Sequence, residues 1–234
     1  MRTVVYKAIF GNIDKLENID FECDSDVDYV CFTDDKKLTL ATKKWEIVVI
    51  KNKSLNTRDY NRMLKFMPHK WFSDYIMSVY LDGNVKLKRC IGKFAMEELK
   101  SRDWVSPKHR YSSSLADEAN LCLDLKKINR DEFMRYMVSH QNQFKPGPFP
   151  ENGIILRRHN QENVKELGEL WWNLYKNGIK RDQLHWQIAF NSSDVHFGYL
   201  KYDFATENSY FELAKHRFYW LTQLKRQLFK LLNL

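Results

Sequence analysis

The chain has no apolar run approaching the roughly 18 residues that a membrane-spanning helix requires. Its first segment, "MRTVVYKAIFGNIDK", is broken by Lys7 and Asp14 too early for a secretory leader, so a cytoplasmic protein is expected. Cys23, Cys31, Cys90 and Cys122 show neither CxxC pairing nor histidines at zinc-like spacing, which argues against a disulfide framework or a structural zinc. There is no internal repeat, no low-complexity tract and no linker. What the sequence has is 44% hydrophobic residues, 15% aromatic residues, and a formal net charge of +8. The first two are ample for a core in 234 residues, and the third calls for an anionic partner: nucleic acid, phospholipid head groups or a phosphorylated small molecule.

Three apolar, β-branched runs, "TVVYKAIFG", "VDYVCFTDD" and "WEIVVI", end on polar residues within the first fifty positions and read as buried strands. "NTRDYNRMLKFMPHKWF" predicts a helix over 57–66 stopped by Pro68, and "SVYLDGNVKL" predicts the next strand. This alternation predicts an α/β sheet of the nucleotide-binding kind. Helices follow in "IGKFAMEELKSR", "LADEANLCLDLKK", "RDEFMRYMVSHQNQF" and "VKELGELWWNLYKNG", with "GIILRRH" a late strand and "RDQLHWQIAF" a further helix. Pro146, Pro148 and Pro150 force a loop, read as a lid over the site. Residues 1–208 form the expected main domain, and 209–234 predict a basic amphipathic helix carrying half of the net charge. Such a helix suits either an anionic membrane surface or docking on its own domain.

Several residue sets could carry chemistry. Asp82 and Asn84 are two apart, so they share a face if the strand continues, or line one tight turn if it stops at Gly83. Two hard oxygen ligands suit Mg²⁺ or Mn²⁺ bridging a diphosphate; the plainer reading of Asp-Gly is a hairpin turn. Arg58, Arg62 and Lys65 form a stripe at i, i+4 and i+7, either a solvated face or a phosphate clamp. Asp182 in the first turn of its helix is favoured by the helix dipole, yet with Gln183 it also offers a carboxylate and an amide to a sugar. Of adjacent Trp171 and Trp172, one could stack on a sugar, although core packing suits both. His196, in a late glycine-bearing loop, could complete a metal site begun earlier in the chain. His69, His109 and His159 neighbour cationic residues, which suits phosphate contact or plain surface exposure.

Taken in order, "VYKAIFGNID", "DYVCFTDD", the series Arg62, Lys65, Pro68, His69, Phe72, Tyr75, Ser78 and Asp82, then His109-Arg110, "DEA" at 117–119, Gly147, "ILRRHN", "WW" and "RDQ" resemble the glycosyltransferase-like domain family named for plant turgor-regulation and seed-mucilage proteins. The resemblance implies a glycosyltransferase-A type fold, a Rossmann-like, mostly parallel mixed sheet flanked by helices. It implies a nucleoside diphosphate sugar as donor, most simply a UDP-sugar, contacted by Phe10, Gly11, Thr33, Asp34, Arg62, Lys65, His69 and Arg181. Its DxD-like metal motif reads DGN here, so Asn84 replaces the second acid with a weaker ligand. "DQ" and "HFGYLK" are also similar to retaining galactosyltransferases of bacterial lipopolysaccharide and to glycogenin. That likeness implies Asp182 and Gln183 beneath the donor sugar and His196 on a Mn²⁺ or Mg²⁺ with Asp82 and Asn84.

The function this implies is transfer of a sugar to a glycan or lipid-linked glycan acceptor of surface polysaccharide or lipooligosaccharide, at the inner face of the cell membrane. Two rival readings stay open. A nucleic-acid-binding protein fits the charge and aromatics, although no recognition motif appears and nucleic acid is not the expected partner. A catalytically silent nucleotide-sugar-binding assembly partner fits the weakened DGN motif.

Overall fold

The structure, a computed structural model, describes residues 2–40, 44–51, 54–143, 145–202 and 208–214. Strand β1 (Thr3–Ile9) is buried along its whole length, as expected for a run whose two faces are both covered. It pairs in parallel with β2 (Val27–Thr33) on one side and with β4 (Met77–Leu81) on the other, and β2 pairs in parallel with β3 (Glu46–Val49). Strand β7 (Ile154–Arg157) lies antiparallel to β4 and to β6 (Trp104–Ser106), and β8 (Phe197–Tyr199) runs parallel to β6. The seven-stranded order is β3-β2-β1-β4-β7-β6-β8, mostly parallel and mixed, as the sequence predicts.

Helix α1 spans Thr57–Phe66, the bounds its periodicity predicts; Asn56 caps it by accepting the Asp59 N–H, and Pro68 follows its end. The other helices are α2 (Gly92–Glu98), α3 (Leu115–Asp124), α4 (Arg130–Ser139), α5 (Glu162–Asn177) and α6 (Gln183–Asn191). One sheet face packs Tyr6, Tyr80 and Trp104 against Leu64 and Phe66 of α1, Trp171 of α5 and Trp186 of α6. The other packs Val5, Val79 and Leu156 against Ala95 of α2 and Phe211. Trp171 is fully buried with Phe66 stacked on it at 4.0 Å, and Trp172 packs on the same cluster, so neither tryptophan is a sugar platform.

Asp82-Gly83-Asn84 is neither a hairpin turn nor the middle of one strand. The chain leaves the sheet after β4, and β5 (Val85–Leu87) pairs instead with β9 (Phe211–Leu213) in a separate two-stranded ribbon. This corrects two expectations. Residues 211–213, placed in the C-terminal helix, are a strand, because Phe211 is needed in the core of the second face. The "HFGYLK" segment, read as a loop, contributes β8. The rest of the predicted tail helix, 215–234, lies outside the described residues. Among the described residues no helix is long and apolar enough to cross a membrane.

Candidate active site

The strand order reverses at β1, since β2 and β3 lie to one side of it and β4 to the other. Loops leaving β1 and β4 therefore part, and ligands of open α/β sheets bind in the crevice this creates at the carboxyl ends of the strands. A cavity of about 690 Å³ opens there, lined by Phe10, Ile13 and Asp14 after β1, Asn56 to Asp59, Asn61 and Arg62 of α1, Asp82 and Gly83 after β4, and Lys180 and Arg181 before α6. That size suits a nucleotide-sized ligand. Its charged rim carries four cations, Arg58, Arg62, Lys180 and Arg181, against three carboxylates, Asp14, Asp59 and Asp82.

Below the rim lies a buried ionic cluster. Asp182 sits 6% exposed at the N-cap of α6, but its side chain does not cap that helix. Its Oδ2 instead accepts from Lys65 Nζ at 3.0 Å and lies 3.2 Å from Arg62 Nε. Trp171 Nε1 donates to the Asp182 carbonyl at 2.9 Å and fixes the backbone there. Burial alone would raise the Asp182 pKa, but Arg62, Lys65 and Arg181 outweigh it and hold the carboxyl well below the usual carboxylate range. Burial likewise opposes the charge on Arg62, yet Asp182, Tyr80 and Asp82 keep its pKa above the ordinary arginine value. Of the predicted stripe, Arg58 and Arg62 line the cavity, Arg62 with its back paired to Asp182, and Lys65 is buried behind it.

Asp82 meets Tyr80, whose hydroxyl donates to Oδ1 at 2.8 Å, and Lys65, 3.7 Å away; its side chain remains 37% exposed toward the cavity. Beneath this turn, fully buried Lys7 of β1 donates from Nζ to the carbonyls of Gly83 and Val85. Burial lowers the Lys7 pKa to about 8, with Cys31 and Asp14 among the groups opposing the shift. A Cβ at Gly83 would lie 2.5 Å from Asp14 Oδ2, so any larger residue there would displace the Asp14 side chain.

The three expected metal ligands do not assemble. Asn84 faces a neighbouring hollow with Lys15, Glu17 and Lys86, and its amide donates to the Ala214 carbonyl at 3.2 Å. His196 precedes β8, whose Phe197 is level with Trp104, Arg157 and Ser78 across the sheet. That puts His196 level with Met77, about 16 Å from Asp82 along the strand direction alone at the usual rise of about 3.3 Å per residue, and three strands away across the sheet. Among the described residues no three His, Cys, Asp or Glu side chains converge. The trio Asp82, Asn84 and His196 therefore does not fit a divalent ion, and no step below is routed through one.

The remaining expected residues divide. Phe10 lines the cavity and stacks on Tyr60, with ring centroids 5.8 Å apart; Asp34 accepts from the Gly11 N–H at 3.1 Å, where Gly11 takes φ +68°; Thr33 Oγ1 accepts from the Asp35 N–H. These four share the strand ends beside the cavity. His69 follows the far end of α1 and pairs with Glu169 at 3.2 Å, away from the cavity. Gln183 is buried, accepting from Asn152 at 3.1 Å and donating to the Pro150 carbonyl at 2.6 Å, so it holds a loop rather than a ligand. That loop is no free lid: Trp186 Nε1 donates to the Pro148 carbonyl, the Phe149 N–H to Tyr199, and Phe149 is 2% exposed. Sequence reasoning missed Asp14, Asp59 and Lys180, which topology alone brings together, although the adjacent cations of "KRD" were a local signal for Lys180.

A family model for the TOD1/MUCI70 glycosyltransferase-like domain matches residues 1–216. The chain belongs to that family. Among solved structures, the apo form of WbbM, a bifunctional glycosyltransferase, matches this TOD1/MUCI70 domain with a TM-score of 0.50 at 13% identity. The match covers 85% of this chain and 38% of WbbM, so the chain spans well under half of that protein. The apo form of mouse xyloside xylosyltransferase 1 matches with a TM-score of 0.47 at 12% identity, covering 86% of this chain and 85% of its own. Glycosyltransferase GlyE of Streptococcus pneumoniae TIGR4 gives 0.48 at 8% identity, covering 86% and 45% respectively. No curated protein sequence matches the chain. The fold of this TOD1/MUCI70 domain is glycosyltransferase-A, as the resemblance implied.

Proposed function

We propose that this TOD1/MUCI70 domain is a glycosyltransferase that takes a sugar from a nucleoside diphosphate sugar and passes it to a glycan acceptor of surface polysaccharide or lipooligosaccharide. The observation that carries the reading is the cavity at the β1–β4 switch point, with Arg62 aimed into it and held from behind by the buried Asp182–Lys65 pair. When the glycosidic bond to the diphosphate breaks, negative charge builds on the departing oxygens. Arg58, Arg62, Lys180 and Arg181 are placed to meet it without reorganising, which is where an enzyme gains most from electrostatics. Asp82, with one oxygen held by Tyr80, presents the other to the donor's hydroxyls. Asp182 acts through Arg62 and Lys65 as a positioning residue, and Gln183 through the loop it ties.

Incubation with a panel of nucleotide sugars, following release of the nucleoside diphosphate, tests this. Arg62→Ala is expected to lower donor kcat/KM about 100-fold, the equivalent of about 2.7 kcal/mol of lost transition-state stabilisation. Full turnover by that variant would refute the assignment of Arg62.

A further inference from the structure

Helix α3 adds nothing to the sheet and does not line the cavity, yet it carries a carboxylate, Glu118, that is 1% exposed. Burying such a group costs several kcal/mol unless donors surround it. Here they do. Oε1 accepts from Arg181 Nη2 at 2.9 Å and from the Cys122 thiol at 3.4 Å, and Oε2 accepts from Ser112 Oγ at 3.0 Å. His109 Nε2 stands 3.6 Å from Oε2. Its Nδ1 accepts from the Ser112 N–H at 3.0 Å and the Tyr111 N–H at 3.3 Å, so the neutral ring carries its proton on Nε2, facing Glu118. A whole shell of groups therefore converges on one oxygen pair whose outward partner, Arg181, is a cavity-lining residue with a side chain one-third exposed.

Arg181 is next in sequence to Asp182, and Asp182 attracts it. Two carboxylates thus compete for one arginine. Glu118 wins the hydrogen bond, while Asp182 is left to Arg62 and Lys65. Asp182 is therefore the carboxylate left to attract Arg181 when the Glu118 charge is removed.

We infer that Glu118 is a positioning residue that holds the Arg181 guanidinium in the cavity for the terminal phosphate of a nucleoside diphosphate. This rests on the donor reading above. Because the Arg181 contact is to the terminal phosphate, the consequence is selective: loss of Glu118 weakens diphosphate binding and spares the matching monophosphate, which a general loosening of the fold would not do.

The test is calorimetry of the full chain with nucleoside diphosphates and monophosphates of the same base, for wild type, Glu118→Gln, Arg181→Ala and the double variant. The preference for diphosphate is expected to fall about tenfold in each single variant and no further in the double. Equal weakening of both ligands in Glu118→Gln, an unchanged preference, or additive losses would overturn the inference. Should Glu118→Gln not fold, Arg181→Lys leaves the buried carboxylate in place. Its ammonium cannot span Glu118 and the cavity at once, so it should lower the same preference, and no change there would overturn the inference equally. A wild-type chain that binds neither ligand would instead bring down the donor reading itself.

Discussion

Asp82 and Asn84 are two residues apart beyond one strand tip and face different hollows, because the chain turns between them from β4 of the sheet to β5 of the ribbon. That separation gives them unequal weight. Asp82→Asn is expected to lower donor kcat/KM at least tenfold, about 1.4 kcal/mol, since it keeps an oxygen for the Tyr80 hydroxyl but removes the negative charge from the site and leaves Lys65 without its second carboxylate. Asn84→Ala should stay within about threefold of wild type, losing only the bond to the Ala214 carbonyl. Steady-state kinetics on both variants check this, and a larger loss from Asn84 would mean that the turn rearranges to bring it into the site. The same pair shows why residue chemistry was only half legible. The sequence spacing placed both oxygens at a strand end, but which hollow each faced depended on β5 pairing with β9, more than 120 positions downstream.

Among the elements, α1 is the one whose placement sets the site, since it carries Arg58, Arg62 and Lys65. Its C-terminal end rests on α5 at Gly168, where a Cβ would fall 2.3 Å from the Phe66 carbonyl oxygen. Gly168→Ala gains about 1 kcal/mol of helix propensity but meets backbone that cannot swing aside. Overpacking of this kind costs typically 1–3 kcal/mol, so a lower melting temperature and weaker donor binding are expected. An unchanged melting temperature would show that α1 and α5 can part freely. Helix α1 was legible because a helix-forming run is stopped by Pro68, and the Asn56 cap seen in the structure sits where that run begins. Strands β6, β8 and β9 were not: each is three residues long, too short for any alternation to show, and each exists because the sheet or ribbon beside it supplies the pairing. Of the candidate site, Phe10, Arg62, Asp82 and Arg181 come together at the cavity, while His69 and His196 fall elsewhere because neither α1's polarity nor β8's register can be read from spacing.

At the scale of the whole molecule, acid sensitivity follows from two buried imidazoles. Burial holds His159 and His185 at about 4, against 6.5 as the ordinary value. His159 ties β7 to the Phe72 carbonyl, and His185 spans the Tyr136 hydroxyl and the Ile179 carbonyl. Between pH 6.5 and 4 the unfolded chain binds more protons than the folded one, so stability falls as pH falls through that window. Each histidine contributes at most about 3 kcal/mol, at about 1.4 kcal/mol per pH unit. Asp182 is held below the usual range, so its contribution persists through the window and is lost only at lower pH. Denaturant titrations from pH 7 to 4 should show the decline, and His185→Gln should flatten it. A flat profile in the wild type would contradict the burial of these rings.

The central claim concerns the crevice between β1 and β4 as a nucleotide-donor site, and titration calorimetry of the intact chain against nucleoside diphosphates addresses it most directly. One base should bind with one-to-one stoichiometry, and Arg62→Ala should weaken it at least tenfold. Absence of binding by every nucleoside diphosphate, or binding that Arg62→Ala leaves untouched, would contradict the account.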